Sequence, residues 1–333
     1  MHQKTYAMGN WTNIFGIQTE DDFNRHCLET YEFQLQHCQV YRNYVSLLRK
    51  ETNKPQHYAE IPFMPIEFFK TQQVLATGMR PQVVFSSSGT TGMVTSKHFV
   101  ADVKLYEHTF RTIFEDFYGP LTDIAVLALL PSYLERSGSS LIYMVDDLMK
   151  QSRQPESNYF LYNHQELYNT LLQLKNKGTK TILFGVTYAL LDFIERYTLH
   201  FPELIIMETG GMKGKRKEMI KQEIHHLLSE AFGVREIHSE YGMTELLSQG
   251  YSYGNGIFHL PKWMKILIRD TNDPLSVLSS DKTGGINVID LANRFSCSFI
   301  ATQDLGKKYP DGSFEILGRF DQSDIRGCNL LVQ

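Results

Sequence analysis

Ile124-Ala125-Val126-Leu127-Ala128-Leu129-Leu130 opens the stretch on which the fold turns. This short apolar run is followed by helical spacing over Ser139 to Lys150, a β-type run over Tyr159 to Tyr162, and helical spacing again over Glu166 to Leu174. The alternation continues through Thr181 to Phe184, Tyr188 to Tyr197, Leu204 to Met207, Lys215 to Phe232 and Glu236 to His238. Apolar strands alternating with helices predict a parallel sheet covered on both faces, a doubly wound α/β layer. Ligands in such sheets gather at the carboxyl ends of the strands.

On either side of this stretch the pattern changes. Residues 1–80 predict a helical, aromatic-rich prefix packed on the core. A capping box at Thr19 to Asp22 precedes the apolar series Phe23, Leu28, Tyr31, Val40, Tyr44, Leu47 and Leu48. Pro55, Pro62 and Pro65 then break the helical period, so Ile61 to Phe69 reads as an extended connector. Beyond Tyr251 the helical spacing disappears. β-like runs remain at Met264 to Ile268, Ile286 to Ile289, Ser298 to Thr302 and Ser313 to Ile316, separated by Gly, Asp and Asn turns. The reading is therefore an α/β core over 81–252 and a smaller β subdomain over 253–333.

Composition removes several function classes. Hydrophobic residues at 42% and charged residues at 21% of 333 fit an ordinary globular interior. A net charge of -4 gives no field suited to a nucleic-acid backbone. The basic cluster Lys213, Lys215, Arg216, Lys217 and Lys221 reads as the solvated start of a helix. The apolar runs are too short to span a bilayer, and Met1 to Asn10 lacks the apolar region of a signal peptide. Cys27, Cys38, Cys297 and Cys328 show no C-x-x-C pairing, which predicts neither a zinc site nor a disulfide framework. The expected compartment is the reducing cytosol. There is no G-x-S-x-G elbow for a serine hydrolase, and His225-His226 lacks zinc-hydrolase spacing and reads as a surface pair.

Three loops carry candidate chemistry, and each comes after an apolar β run, which predicts that they share one rim of a sheet. Ser86-Ser87-Ser88-Gly89-Thr90-Thr91-Gly92 succeeds Val83-Val84-Phe85. Its glycines would let backbone N–H groups approach an anion, and its hydroxyls would add donors for phosphate oxygens, though such a cluster alone also fits a plain turn. The Gly-Lys-Ser/Thr ending of a Walker loop is missing. Glu208-Thr209-Gly210-Gly211 and Ser239-Glu240-Tyr241-Gly242-Met243-Thr244-Glu245 read as strand-to-helix turns. The latter offers an aromatic plane, a hydroxyl and a carboxylate within five residues (Tyr241 to Glu245), a set suited to an adenine face, a phosphate and a magnesium ion.

The order Ser-Ser-Gly-Thr-Thr-Gly, Tyr-Gly-Met-Thr-Glu, Thr-x-Asp and Gly-Arg-x-Asp resembles the adenylate-forming superfamily of acyl-CoA synthetases and luciferases. The likeness runs from Ser86 to Gly327 and leaves out the helical prefix. It implies that Ser86, Ser87, Ser88, Gly89, Thr90, Thr91 and Gly92 hold ATP phosphates, that Gly210 and Gly211 border the adenine, and that Tyr241 stacks on it beside Gly242. It further implies that Thr244 meets the α-phosphate, Glu245 the magnesium ion, and Asp304 and Arg319 the ribose, with Asp321 at the interdomain hinge. Lys97 comes after Gly92 without the family's proline, and Ala301 and Gln303 replace the usual Arg and Gly around Asp304. The chain ends at Gln333, just past the hinge motif, where relatives continue with a mobile domain carrying a catalytic lysine. That ending, with Arg326-Gly327-Cys328-Asn329-Leu330, resembles the LuxE-type acyl-protein synthetases.

The resemblance implies that a carboxylic acid, a fatty acid in the family, is activated with ATP and Mg2+ as an acyl-adenylate, pyrophosphate leaving. Transfer to a thiol comes next, with Cys328 as the acceptor by position. Coenzyme A and a carrier protein's phosphopantetheine arm are the alternative acceptors. An acyl-carrier protein, acyltransferase or reductase is the implied partner, with neither nucleic acid nor membrane. Two other readings share part of this pattern: a short aryl- or acyl-CoA ligase of the phenylacetate type, or one loading a carrier protein, and a nucleotide-binding subunit without catalysis. Cys27, Cys38 and Cys297 read as packing residues.

Overall fold

Thr19 starts the first helix as its spacing predicts: its hydroxyl accepts a hydrogen bond from the Asp22 N–H at 3.1 Å, and Glu20, Asp21 and Asp22 fill the first turn. Such a cap satisfies one of the open N–H groups at a helix start, and the acidic turn suits the helix dipole. The computed structural model describes residues 11–48, 54–87, 94–131, 138–210 and 219–320. They fall into two compact units. One comprises the chain up to Val83, His98–Asp102 and the chain from Leu260; the other comprises Val84–Lys97 and Val103–His259.

The first unit begins with α1 (Glu20–His37) and α2 (Gln39–Leu47). The predicted connector holds β1 (Met64–Pro65) and leads into α3 (Phe68–Thr71). β2 (Val83–Ser86) and β3 (Lys97–Val100) form a two-stranded ribbon of their own. The expectation that all three candidate loops sit on one sheet rim is therefore corrected for the first of them, which extends from a ribbon strand.

The second unit opens with α4 (Val103–Tyr118), then β4 (Ile124–Leu129), α5 (Ser140–Ser152), β5 (Asn158–Phe160), α6 (His164–Lys177) and β6 (Lys180–Val186). α7 (Thr187–Ile194), β7 (Ile205–Thr209), α8 (Lys221–Phe232), β8 (His238–Tyr241), β9 (Gly250–Ser252) and β10 (Ile257–His259) complete it. Its strands lie in the order β5-β4-β6-β7-β8-β9-β10. The first five are mutually parallel and the last two turn antiparallel. This is the α/β layer the alternation predicts, with an antiparallel edge added.

Both faces of the layer are covered, as side-chain alternation along β7 and β8 makes plain. Glu208 pairs with Ser239 in the parallel register, so those two side chains share one face, where Lys221 and His225 of α8 approach Glu208. Tyr251 of β9, opposite Glu240, meets Phe117 and Tyr118 of α4 on the other face. Every residue of β4 is fully buried. A buried Leu or Ile side chain contributes about 1.5–3 kcal/mol, so this strand anchors the sheet.

The chain then returns to the first unit with β11 (Met264–Arg269), β12 (Val277–Leu278), β13 (Thr283–Asp290), β14 (Phe299–Lys308) and β15 (Phe314–Arg319). They pair antiparallel in the order β12-β11-β13-β14-β15, and β1 joins β14 in parallel. The α1 residue Gln34, fully buried, donates to the Arg294 carbonyl at 2.9 Å and accepts from the Ser298 N–H at 3.2 Å. Tyr41 of α2 donates to the Pro62 carbonyl at 2.7 Å, with its ring 6.1 Å from that of Phe299. Prefix helices and C-terminal strands thus share one core.

Cys27, Cys38 and Cys297 are buried, as expected of packing residues, and burial raises all three thiol pKa values. Among the described residues no helix is long and apolar enough to cross a membrane.

Candidate active site

Adjacent parallel strands deliver their carboxyl ends to the same edge, and β7 and β8 are such a pair, with Met207 beside His238 and Glu208 beside Ser239. Two of the three segments singled out by sequence are therefore neighbours. One detail differs from expectation: Ser239, Glu240 and Tyr241 lie inside β8, where Glu240 pairs with Tyr251 and Tyr241 with Gly250. Tyr241 then leads into a return loop that ends in β9, and no helix intervenes. Leu246 and Leu247 bury their side chains within that loop, and the Leu246 N–H closes a turn onto the Met243 carbonyl at 3.1 Å.

The predicted residues of this rim differ in exposure and in backbone shape. Tyr241 is almost wholly buried, its ring 6.0 Å from that of Phe258, over which the Lys221 ammonium sits at 5.2 Å. Thr244 is half-buried in the loop and Glu245 is buried. A methyl on Gly242 would lie 2.1 Å from Oε1 of Glu240, so that carboxyl group would have to move aside to admit it. Gly210, at the end of β7, has φ +72°, a left-handed conformation that favours glycine.

The ribbon holds the start of the serine-rich loop. The Ser86 N–H donates to the Gly138 carbonyl at 2.8 Å. Ser87 is tied twice: its N–H donates to the Ser96 carbonyl at 3.0 Å, and its Oγ accepts from the Ser96 N–H at 2.9 Å. Ser88, Gly89, Thr90, Thr91, Gly92, Gly211, Asp321 and Cys328 lie outside the described residues. In the other unit, Asp304 and Arg319 are brought together as cross-strand partners, Nε to Oδ1 at 3.1 Å. Asp304 is buried while the Arg319 side chain is 71% exposed, so the guanidinium reaches solvent from a fixed carboxylate.

Sequence reasoning missed the polar groups that surround these positions. Glu208 accepts from the Thr187 hydroxyl at 2.5 Å and the Ser239 hydroxyl at 3.3 Å, with Lys221 Nζ at 3.8 Å and His225 Nε2 at 3.9 Å. Burial alone would raise its pKa. His225, the Lys221 charge and the Thr187 hydroxyl outweigh burial and hold Glu208 below the ordinary carboxylate value. His225 is thus a correction to the surface-pair reading, its side chain 16% exposed, whereas His226 is 70% exposed as expected. Glu240, one strand over and facing the other way, has its pKa pushed up to about 7 by burial; the Thr209 hydroxyl, donating to Oε2 at 2.9 Å, opposes this and the Glu208 charge adds to it. The sequence signal for such a pair is faint, because it depends on which strands become neighbours.

The family model described as "Acyl-protein synthetase, LuxE" matches residues 143–333. No curated protein gives a significant sequence match. Among solved structures, an open conformation of 2-hydroxyisobutyryl-CoA ligase in complex with 2-HIB-AMP and CoA aligns with a TM-score of 0.62 at 9% identity, covering 91% of this chain and 70% of its own. ATP-bound MatB from Rhodopseudomonas palustris aligns with a TM-score of 0.53 at 19% identity, over 71% of this chain and 47% of its own. An ATP-bound RpMatB-BxBclM chimera gives the same score at 20% identity, again over 71% and 47%. The chain spans about half the length of these MatB structures. At such identities the likeness is one of fold.

Proposed function

Since the chain belongs to the LuxE family of acyl-protein synthetases, we propose that it joins a carboxylic acid to ATP as an acyl-adenylate and then passes the acyl group to a thiol. The observation that supports this reading is the parallel pairing of β7 with β8, which brings Gly210, next after Thr209, to the same strand-end rim where Tyr241 leads into the loop carrying Thr244 and Glu245. In this reading the Ser86–Gly92 loop receives the ATP phosphates, Gly210, Gly211 and Gly242 lie along the nucleotide, and Tyr241 stacks on the adenine. Thr244 meets the α-phosphate, and Asp304 with Arg319 holds the ribose hydroxyls.

Magnesium keeps much of its hydration and is held through one or two carboxylates together with substrate phosphates. The described residues offer Glu245 beside Thr244 and no cluster of three or more His, Cys, Asp or Glu side chains able to hold a metal. That donor set fits an ion arriving with a triphosphate better than a resident metal. Bound there, magnesium would neutralise charge on the phosphate oxygens.

The first step is attack of a carboxylate oxygen on the α-phosphorus, with the α–β phosphoanhydride bond breaking and pyrophosphate leaving. The Thr244 hydroxyl and the loop donors would stabilise the charge that builds there, each typically worth about 10²–10³ in rate when preorganised. In the second step a thiolate sulfur attacks the acyl carbonyl carbon and AMP leaves. Cys328 is the acceptor in this reading, a fatty acid the substrate, and a reductase, an acyltransferase or an acyl-carrier protein the partner.

ATP–pyrophosphate exchange over a panel of fatty, aryl and amino acids, combined with intact-mass analysis, tests both halves. Exchange with at least one acid and a covalent acyl adduct lost in Cys328→Ala are expected. Exchange absent for every acid overturns the reading. An adduct surviving in Cys328→Ala moves the acceptor elsewhere, and turnover only with coenzyme A replaces self-acylation by an external thiol.

A further inference from the structure

The face of β8 and β9 that carries Glu240 holds buried polar atoms that the fold does not use. Glu240 pairs with Tyr251 across β8 and β9, so those two side chains share that face, and Gln249, just ahead of β9, brings its Cγ beside Gly242, where Oε1 of Glu240 also lies. Tyr251 is 0% exposed, and its hydroxyl has no hydrogen-bond partner among the described residues. Gln249 is 4% exposed, and its Oε1 has none either, while its Nε2 makes a long 3.4 Å bond to the Leu247 carbonyl. Glu240 is engaged on one side by Thr209, and its other oxygen lies over Gly242. The rings of Phe117 and Tyr118, 5.3 and 5.4 Å from that of Tyr251, wall the cluster with apolar surface.

Buried polar atoms without partners are uncommon in folded proteins, and two of them flanking a carboxyl call for an occupant with polar atoms of its own. An alkyl chain would leave the Gln249 acceptor and the Tyr251 hydroxyl unmet. A hydroxyl or an amino group would meet them. The loop from Gly242 to Gln249 links this cluster directly to Thr244 and Glu245. One short segment therefore serves both the cluster and the residues assigned to the reacting end of the acid.

We propose that Glu240, Gln249 and Tyr251 form the subsite that reads the chain of the acid, and that the acid carries a hydrogen-bond-donating group, hydroxyl or amine, a few bonds from its carboxyl. This rests on the adenylation reading above and narrows the fatty acid proposed there to one that carries a polar substituent.

The test is ATP–pyrophosphate exchange on the full chain with matched acids of short, medium and long chain, each as the plain, β-hydroxy and β-amino form. A β-substituted acid should exceed its plain counterpart by roughly 10- to 100-fold in kcat/KM, a discrimination within reach of a site built to bond a polar group. That ratio should fall towards one in Tyr251→Phe, which deletes an oxygen the fold itself leaves unpaired and so should not impair folding, and in Gln249→Met. Glu240→Gln separates the two donors: it should penalise the amino acid strongly and the hydroxy acid little. Plain acids working as well as substituted ones, or a ratio untouched by Tyr251→Phe and Gln249→Met, overturns the subsite while leaving adenylation standing. Exchange with no acid at all removes both.

Discussion

Glu208 and Glu240 occupy neighbouring strands near one rim, yet the two faces of the sheet treat them in opposite ways. On the α8 face, Glu208 is surrounded by two hydroxyls, an ammonium and an imidazole, and its charge is retained despite burial. On the α4 face, Glu240 has the Thr209 hydroxyl and a wall of tyrosines, and burial makes its proton hard to lose. The same side chain is a fixed anion on one face and a titrating acid on the other. Donors within reach, more than depth, decide which.

The contrast is most exposed to failure at Glu208. Replacing it with Ala removes the acceptor for Thr187 and Ser239 and leaves Lys221 and His225 without their carboxylate, which should lower stability by about 3 kcal/mol at neutral pH. Chemical denaturation at pH 7 measures this; a loss no larger than that of Glu240→Ala would erase the asymmetry.

A smaller effect of opposite sign is expected for Glu240→Gln. The folded state holds the Glu240 proton up to about pH 7, whereas the unfolded chain releases it near 4.5. Its contribution to stability is therefore full below 4.5, falls as pH rises through that interval, and is an unfavourable term above pH 7. The glutamine variant lacks this term, so it should gain about 1–2 kcal/mol over the parent at pH 8, with the difference shrinking towards pH 5. Denaturation curves across pH 5 to 8 check it, and a pH-independent difference would count against the assignment.

The mildest test is Gly242→Ala. Its methyl would meet Oε1 of Glu240 at 2.1 Å, but that oxygen ends a flexible side chain and can move aside. Loss of the Thr209 bond, about 1 kcal/mol, is the expected limit. A much larger loss would mean that the Glu240 carboxyl is pinned more firmly than its bonding suggests.

Much of this fold was legible in sequence because its signals are local. The apolar runs at Ile124, Thr181 and Leu204 became β4, β6 and β7, and the β-like runs after Tyr251 became β11, β13, β14 and β15. α4 also carries a helical signal, with Leu105, Tyr106, Thr109, Phe110, Ile113 and Phe114 recurring on one side, but it lies ahead of the alternation that begins at Ile124. The motifs around Tyr241 and Asp304 were equally readable, being contiguous. The Asp304–Arg319 pairing needed only two motifs to land on adjacent strands. The Glu208 and Glu240 environments were not readable, because they depend on parallel register and on which helix covers which face. His225 shows the same limit: one of two adjacent histidines turns inward, and sequence alone cannot say which.

The double tie between Ser87 and Ser96 has an engineering consequence. It closes the ribbon between Ser87 and Ser96 through a backbone bond and a side-chain bond, both made by those two residues themselves. Those two serines are natural splice points: a turn borrowed from a distant relative, longer or shorter, could be exchanged between them without re-cutting the strands that support it.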